Sequence, residues 1–152
     1  MRIGIISDTH GLLRQEFIQA FKGCELIFHA GDIGKQEMLD ELKKIAPVVV
    51  VKGNNDRDSW AENLPIENLT KADGKEIYMI HDLKESQIAF ENSDIDIDIV
   101  ISGHSHIYKE ETKENVLYLN PGGAGPKRLG RATTAMLLKI EDGIVKIQKV
   151  EL

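Results

Sequence analysis

Short apolar runs alternate with amphipathic stretches along the first half of the chain, and this alternation limits the possible folds more than any other feature. Residues 48–51 are apolar at every position, and residues 77–80 and, apart from Asp98, residues 97–101 repeat that signature, as expected of strands covered on both faces. Amphipathic stretches separate the runs at residues 3–7, 26–29 and 48–51. The pattern predicts a βαβαβ unit, in which crossover helices join parallel strands.

Two helices are predicted between these three strands. The first spans residues 12–22, where Leu13, Phe17 and other apolar side chains recur at helical spacing. The second has its apolar face within residues 38–45 and ends before Pro47, because the residue before a proline disfavours helical geometry.

The last part of the chain has a different organisation. Residues 116–119, 135–140 and 144–150 are predicted to be successive strands, with Glu141-Asp142-Gly143 as the turn between the last two. We therefore expect this end to be antiparallel. The Gly-rich stretch 121–130 is the one long loop candidate.

Composition excludes several classes of function. Lys and Arg number 19 against 25 Asp and Glu, and the formal net charge of -6 opposes binding to long nucleic acids and to anionic membranes. The N-terminus meets Asp8 too soon for a secretory signal, and no run approaches the ~20 apolar residues of a membrane span. We therefore expect one cytoplasmic domain, 1–152. The single Cys24 excludes an internal disulfide and a zinc site made of several thiolates.

Side chains that can bind metals follow almost every apolar run. Because ligands bind outside the carboxyl ends of the strands in an open α/β sheet, we expect these residues to converge. Members of the pairs Asp8/His10 and His104/His106 are two positions apart, which places both on one side of an extended segment. Four of the five histidines belong to the set. The candidates are Asp8, His10, Asp32, Asn54, His81, His104 and His106.

Each of these short motifs has an ordinary structural reading when it stands alone. An Asp-x-His sequence is usually a turn residue beside a surface histidine, and Gly31-Asp32 or Gly53-Asn54 would normally be a tight turn with a side-chain cap. Gly103-His104-Ser105-His106 is more specific, because two imidazoles beside a glycine after an apolar run are uncommon. The combination of all the motifs therefore carries the metal-site hypothesis.

The order of the motifs resembles that of the calcineurin-like metallophosphoesterase superfamily, within it the small bacterial and archaeal phosphodiesterases. The resemblance implies a single-domain α/β fold, a four-layer α-β-β-α sandwich of two mixed sheets with flanking helices. The blocks that carry it are Asp8-Thr9-His10-Gly11, Gly31-Asp32, Gly53-Asn54-Asn55-Asp56, Ile80-His81, Gly103-His104-Ser105-His106 and Asn120-Pro121-Gly122.

The resemblance also implies a two-metal site and a division of the ligands. One ion would be bound by Asp8, His10 and His106, the other by Asn54, His81 and His104, and Asp32 would bridge the two. The implied reaction is hydrolysis of a phosphate ester, most readily a diester, by in-line attack of a metal-bridging hydroxide. The implied catalytic residues are Asp32, Asn54, Asn55 and His81.

The chemistry of the ligand set agrees with that implication. Oxygen and nitrogen ligands without thiolate suit divalent Mn²⁺, Fe²⁺, Ni²⁺ or Zn²⁺, and Mn²⁺ is the ion we expect. Two ions ~3.5–4 Å apart can activate water and stabilise the entering and leaving oxygens. The expected partner is a small phosphate ester, and homo-oligomerisation is left open. The alternative is a non-catalytic, metal-binding scaffold of the same fold for protein interactions, as in a eukaryotic retromer subunit that resembles the same family.

Three positions depart from the family pattern. Many members carry His where this chain has Asn55, and an amide cannot serve as a general acid. Asn55 could hydrogen-bond a phosphoryl oxygen or be a turn residue, and Asp56 is a neighbouring candidate for the acid. Asp82 stands where Gly is usual and could orient His81 or cap the next helix. After Gly122 many members have Ser, but this chain has Gly123, so substrate choice is the property least transferable from the family.

Other residues have two readings. His29 is predicted to be a packed or hydrogen-bonded imidazole and not a ligand. Trp60 could line a rim of the site, although a single aromatic is more often packing. The basic cluster Lys127, Arg128 and Arg131 could receive phosphate or be a solvated surface run, and the second reading is favoured.

Overall fold

The computed structural model describes residues 1–86 and 94–152, and its first sheet contains five strands. These strands are β1 (Arg2–Ile6), β2 (Leu26–His29), β3 (Val48–Val50), β9 (Thr134–Glu141) and β10 (Ile144–Glu151). Their order in the sheet is β10-β9-β1-β2-β3. β1, β2 and β3 are parallel, while β9 pairs antiparallel with both β1 and β10.

Helices α1 (Gln15–Ala20) and α2 (Gln36–Lys43) connect the parallel strands, so the predicted βαβαβ unit is confirmed. α1 is shorter than the predicted 12–22, because the backbone is still extended at Arg14. Neither these helices nor any other helical turn in the described residues is long and apolar enough to cross a membrane.

The second sheet also has five strands. They are β4 (Glu67–Ala72), β5 (Lys75–Ile80), β6 (Ile99–Ile101), β7 (Tyr108–Lys113) and β8 (Val116–Pro121). In the order β4-β5-β6-β8-β7, the three inner strands are parallel and both edge strands are antiparallel to their neighbours. The predicted architecture of two mixed sheets in an α/β fold is therefore confirmed.

The main hydrophobic core lies between the two sheets. Because side chains alternate across a strand, Ile3 and Ile5 of β1 face the second sheet while Ile6 faces the helices. From the second sheet, Ile77 and Met79 of β5 enter the same core. The outer face of the first sheet packs against α1 and α2. In addition to α1 and α2, the described residues contain the 3-10 turns Ser59–Ala61 and Leu83–Glu85.

Two strand predictions need correction. Residues 48–51 were expected to be covered on both faces, but β3 is the edge strand of its sheet and its three valines are half-buried. Residues 116–119 were expected to be antiparallel neighbours of the last strands, but β8 belongs to the second sheet and lies parallel to β6. The segment 122–133 crosses from one sheet to the other. Hydrophobicity identifies a strand, but it does not identify the sheet that the strand joins.

The edge strands β4 and β7 were missed because half or more of their residues are polar. Each forms a hairpin through two residues with positive φ, Asp73-Gly74 (46° and 81°) and Glu114-Asn115 (50° and 66°). Positive φ at both central residues is the geometry of a tight hairpin turn. Asp-Gly is a strong signal for such a turn, so β4 could have been predicted from the sequence.

A buried histidine joins the ends of β1 and β2. His29 has no exposed surface; the backbone N–H of Gly31 donates to its Nδ1 (3.2 Å), and its Nε2 lies 3.0 Å from Thr9 Oγ1. Because Nδ1 accepts, the proton of the neutral ring is on Nε2 and is donated to Thr9. The Thr9 hydroxyl in turn donates to the carbonyl oxygen of Ile33 (2.9 Å). The prediction that His29 is a hydrogen-bonded imidazole agrees with this geometry.

Burial lowers the pKa of His29 from 6.5 to about 4. Between these two values the unfolded chain binds a proton that the folded protein does not, so the free energy of unfolding should decrease as the pH falls from 6.5 to 4. We expect His29→Gln to lose this component, which amounts to at most about 3 kcal/mol. Urea unfolding of metal-free wild type and variant across this pH range measures it, and parallel curves for the two proteins would contradict the assignment.

Candidate metal centre

The loops that carry the candidate ligands continue the pairing of the strands beyond their ends. The backbone N–H of Asp8 donates to Gly31 O (2.9 Å), and that of His10 donates to Asp32 O (3.0 Å). In the second sheet, the N–H of Gly103 donates to His81 O (3.0 Å). Main-chain hydrogen bonds therefore align the loops within each sheet and bring the carboxyl ends of the parallel strands to one rim.

Five of the seven candidate ligands have left-handed backbone conformations. Their φ values lie between 46° and 70°, in a region that non-glycine residues enter at a cost of roughly 1–2 kcal/mol. The prediction that both ligand pairs lie on extended segments was wrong in this respect. In the described residues, the other non-glycine residues with positive φ lie in hairpin turns. The five ligands are Asp8, His10, Asp32, His104 and His106.

A first group of possible ligands consists of Asp8, His10 and His106. The Oδ1 atom of Asp8 lies 3.2 Å from His106 Nε2 and 3.8 Å from His10 Nε2. The two imidazole rings are stacked, with centroids 5.3 Å apart, and their Nε2 atoms are separated by 3.5 Å. One carboxylate oxygen and two ring nitrogens thus point at a common position.

A second group surrounds His81. Its Nε2 lies 3.4 Å from Asp32 Oδ2 and 3.0 Å from Asn54 Oδ1. His104 reaches the same amide oxygen with Nδ1, at 3.1 Å. The structure therefore brings together all seven residues predicted from the sequence, in the two sets that the family resemblance implies.

Both carboxylates lie between the two groups. Asp32 Oδ2 is 3.8 Å from His10 Nε2 and 3.4 Å from His81 Nε2, as expected of a bridging ligand. Asp8 Oδ1 is also close to both sides, because it lies 3.9 Å from His81 Nε2. The family resemblance implied only Asp32 as the shared carboxylate, whereas the geometry brings Asp8 near both groups as well.

The carboxylates are ionised and only partly satisfied by the protein. Burial raises the pKa of Asp32, but hydrogen bonds with His81 and from the backbone N–H of Asn55 outweigh burial and hold that pKa well below its ordinary value. Asp8 is similarly affected: contacts with His106 and Ser7 outweigh burial and lower its pKa. The Oδ1 atom of Asp8 is buried and has no hydrogen-bond partner among the described residues. An orphaned, negatively charged oxygen facing imidazole nitrogens fits a bound cation.

The orientation of His81 also fits a metal ligand. Its Nδ1 lies 2.7 Å from the carbonyl oxygen of Ala30, so the ring donates its Nδ1 proton there and leaves the lone pair of Nε2 directed at the site. Burial lowers the pKa of His81, but the carboxylates Asp32 and Asp8 outweigh burial and hold this pKa above its ordinary value. Ala30 carries no side-chain signal, so its role could not be found from the sequence.

Glycines next to the ligands are required by close approach. A Cβ atom at Gly53 would collide with the backbone nitrogen and the carboxylate of Asp32. A Cβ atom at Gly103 would collide with the hydroxyl of Ser7, which itself donates to Asp8 Oδ2 (2.6 Å). The glycines of the sequence blocks therefore let the loops of different strands touch.

The structure shows the contacts of Asn55, Asp56 and Asp82, whose roles the sequence left open. Asn55 donates to both oxygens of Asp32, from its backbone N–H (2.8 Å) and from Nδ2 (3.0 Å). Asp56 is buried, and its carboxylate accepts from the backbone N–H groups of Ile33, Gly34 and Gly53, so it is an anchor for two loops and not a free acid. Asp82 caps the following 3-10 turn through the N–H of Lys84, and its other oxygen lies 3.7 Å from His104 and not against His81.

The basic cluster divides into two parts. Arg128 and Arg131 line a cavity of about 260 Å³ together with Asp32 and other site residues, whereas Lys127 does not. The reading of the cluster as a plain surface run therefore does not account for both arginines.

Comparisons with known proteins agree with this geometry. Residues 1–143 match the model of the calcineurin-like phosphoesterase superfamily domain. A probable metallophosphoesterase of Methanothermobacter thermautotrophicus is 33% identical over 151 residues, which cover 93% of this chain and 87% of the relative. A phosphodiesterase of Methanocaldococcus jannaschii is 28% identical over 138 residues, covering 80% of this chain and 83% of the relative.

Two solved structures illustrate the fold. An archaeal phosphodiesterase superposes with a TM-score of 0.83 at 25% identity, covering 100% of both chains. The Vps29 protein of Entamoeba histolytica, solved in complex with zinc, has a TM-score of 0.77 at 24% identity and covers 99% of each chain. The match over nearly the whole sequence, together with a relative 33% identical, shows that this chain belongs to the calcineurin-like phosphoesterase superfamily.

Proposed function

We propose that the protein is a divalent-metal-dependent phosphoesterase that acts mainly on phosphodiesters. The observation that carries this proposal is the unpartnered buried Oδ1 atom of Asp8, around which His106, His10 and His81 present Nε2 atoms at 3.2 to 3.9 Å. The phosphodiesterase named among the relatives supports the choice of a diester.

The residues would divide the work between holding ions and positioning groups. Asp8, His10 and His106 would hold one ion, Asn54, His81 and His104 the other, and Asp32 both. Two divalent cations held there would lower the pKa of a water molecule between them and neutralise charge on the phosphoryl group. Asn55 is a positioning residue, because its two donors fix the carboxylate of Asp32. Mn²⁺ is the proposed ion, and the proposed location is cytoplasmic.

A non-catalytic scaffold is the second candidate, and it is favoured by the close similarity in fold to Vps29. The left-handed backbone at five candidate ligands argues against it. This conformation is costly at each residue and is typically retained where geometry serves a site. This argument applies to a scaffold that binds no metal, whereas a metal-binding scaffold would keep the same geometry and differs from the enzyme in lacking hydrolysis.

Removal of metal tests the proposal directly. We expect hydrolysis of bis(p-nitrophenyl) phosphate to require added Mn²⁺ and to stop on chelation. The melting temperature should fall with chelation, because the ions bind the folded site and not the dispersed ligands of the unfolded chain. If exhaustive chelation changes neither activity nor melting temperature, the proposed metal centre is wrong. Loss of stability without any activity would favour the scaffold.

The shared carboxylate can be identified from metal content. We expect Asp32→Asn to retain at most one ion per chain and to lose more activity than His10→Ala, because Asp32 faces both groups while His10 belongs to one. Asp8→Asn tests the other carboxylate near both groups, and Asp40→Asn on the exposed face of α2 is the control. Elemental analysis after gel filtration measures bound metal. Two ions retained in Asp32→Asn would exclude it as the bridge.

The identity of residue 55 should be visible in the leaving-group dependence. Asn55 cannot protonate a leaving oxygen, and Asp56 is fully engaged with backbone N–H groups, so aryl diesters should be cleaved much faster than alkyl diesters. We expect Asn55→His to narrow this gap by up to the ~10²–10⁴-fold that a positioned acid contributes.

Asn55→Ala is the control for that experiment, since it removes the Nδ2 contact with Asp32 without adding an acid. Single-turnover rates on matched aryl and alkyl esters isolate the chemical step. Similar rates on both esters in the wild type would show that another group acts as the acid. An equal loss on both esters in Asn55→His and Asn55→Ala would show that only the positioning of Asp32 matters.

A further inference from the structure

A basic pair faces the metal centre across an open cavity. Arg128 and Arg131 come from the loop between β8 and β9, and the cavity between them and the candidate ligands measures about 260 Å³. The other residues that line this cavity are Asp32, Asn54, Asn55, His104, Ser105 and His106.

A tight turn sets the two arginines next to each other. The backbone N–H of Arg131 donates to the carbonyl oxygen of Arg128 (3.1 Å), and Gly130 at the third position has a φ of 73°, which this kind of turn requires. Leu129 at the second position is fully exposed. The sequence Arg-Leu-Gly-Arg therefore forms a turn that presents two guanidinium groups to one cavity.

The beginning of this loop is hydrogen-bonded to the chain at the end of β1. The backbone N–H of Ala124 donates to Ser7 O (3.0 Å), and that of Gly125 donates to Asp8 O (3.1 Å). Arg14 holds the same segment from the side, because its Nη2 donates to Gly125 O (3.2 Å). The beginning of the loop is thus hydrogen-bonded to Asp8, a candidate metal ligand.

Neither guanidinium group is paired with a carboxylate among the residues that the structure describes. The ion pairs among residues 1–86 and 94–152 involve neither Arg128 nor Arg131. Two adjacent like charges repel each other, and an anion between them removes that repulsion. Arginine forks match the oxygens of phosphate with parallel hydrogen bonds. The chain has a net charge of -6, so two neighbouring arginines beside the site differ from the negative charge that prevails elsewhere.

We propose that Arg128 and Arg131 bind a second phosphate group of the substrate, while the scissile phosphoryl group lies at the metal centre. This inference rests on the proposed function and narrows it to phosphate esters that carry another phosphate. Space supports the assignment: 260 Å³ corresponds to about nine water molecules at ~30 Å³ each, more than one phosphoryl group fills.

A matched pair of nitrophenyl esters tests the subsite. The first is thymidine 5′-(p-nitrophenyl phosphate), and the second is the same diester with a 3′-phosphate added. We expect wild type with Mn²⁺ to prefer the second by roughly ten-fold in kcat/KM, as charge-assisted hydrogen bonds to a partly exposed phosphate would give. The preference should shrink as the salt concentration rises.

Two variants distinguish binding of the second phosphate from a general effect of positive charge on the loop. The double variant Arg128→Gln/Arg131→Gln should lose the preference and keep the rate on the simpler ester. Lys127→Gln is the control for charge, because it removes one positive charge from the same exposed loop but outside the cavity. An equal loss on both esters in the double variant would assign the arginines to the scissile phosphoryl group and overturn the second subsite. Equal rates of wild type on both esters would also overturn it.

Calorimetry provides a readout that is independent of hydrolysis. Thymidine 3′,5′-bisphosphate should bind wild type roughly ten-fold more tightly than thymidine 5′-monophosphate, and the double variant should bind the two alike. If neither ester is hydrolysed, the proposed function fails, and the ratio of these dissociation constants still decides on the anion subsite. Unchanged ratios in the double variant would reject it.

Discussion

The structure depends on two ionised carboxylates that are buried at one rim of the molecule. Placing such charges away from water costs several kcal/mol unless partners offset it. Histidine nitrogens surround Asp8 and Asp32, and backbone N–H groups of His104 and Asn55 donate to them. Within the described residues, the Oδ1 atom of Asp8 has no hydrogen-bond partner, although histidine nitrogens approach it. Cation binding supplies what the protein leaves unsatisfied, so the same electrostatic demand connects stability with the proposed chemistry.

The loops can hold unfavourable backbone conformations because hydrogen bonds overdetermine them. Pairing between the chain after β1 and the chain after β2 continues past the strand ends, and His29 ties Thr9 to Gly31 beneath these loops. Asp56 accepts three backbone N–H groups and joins the loops after β2 and β3. Residues outside the ligand set therefore keep the ligands in place, and their substitution would act through geometry.

The crossing between the sheets brings a separate chemical property to the rim. β8 ends near the site and β9 begins near it, so the segment between these strands passes over the cavity that the candidate ligands line. This segment contributes Arg128 and Arg131 to a chain that is acidic overall. The metal centre suits the reaction of any phosphate ester, whereas the basic turn would distinguish among such esters. In this proposal, reaction and selectivity would reside on different elements that meet at one cavity.

Much of the fold could be predicted from the sequence because it depends on local pattern. Apolar runs and helical spacing identified the three parallel strands of the first sheet and their two helices. The polar edge strands β4 and β7 were missed, since an edge strand needs little apolar surface and is recognised mainly by its turn. The sheet that β8 joins also could not be read, because strand pairing depends on distant residues.

The sequence by itself determined which side chains meet at the candidate metal centre, because each candidate ligand follows an apolar run and these runs end at one rim. Only the tertiary structure decided how they are used. It placed Asp8 near both groups of ligands, gave the donors of Asn55 to Asp32, and engaged Asp56 with three backbone N–H groups. It also separated Arg128 and Arg131 from Lys127. These roles depend on which atoms from different loops come within hydrogen-bond distance, and that is set by packing between the two sheets and not by spacing along the chain.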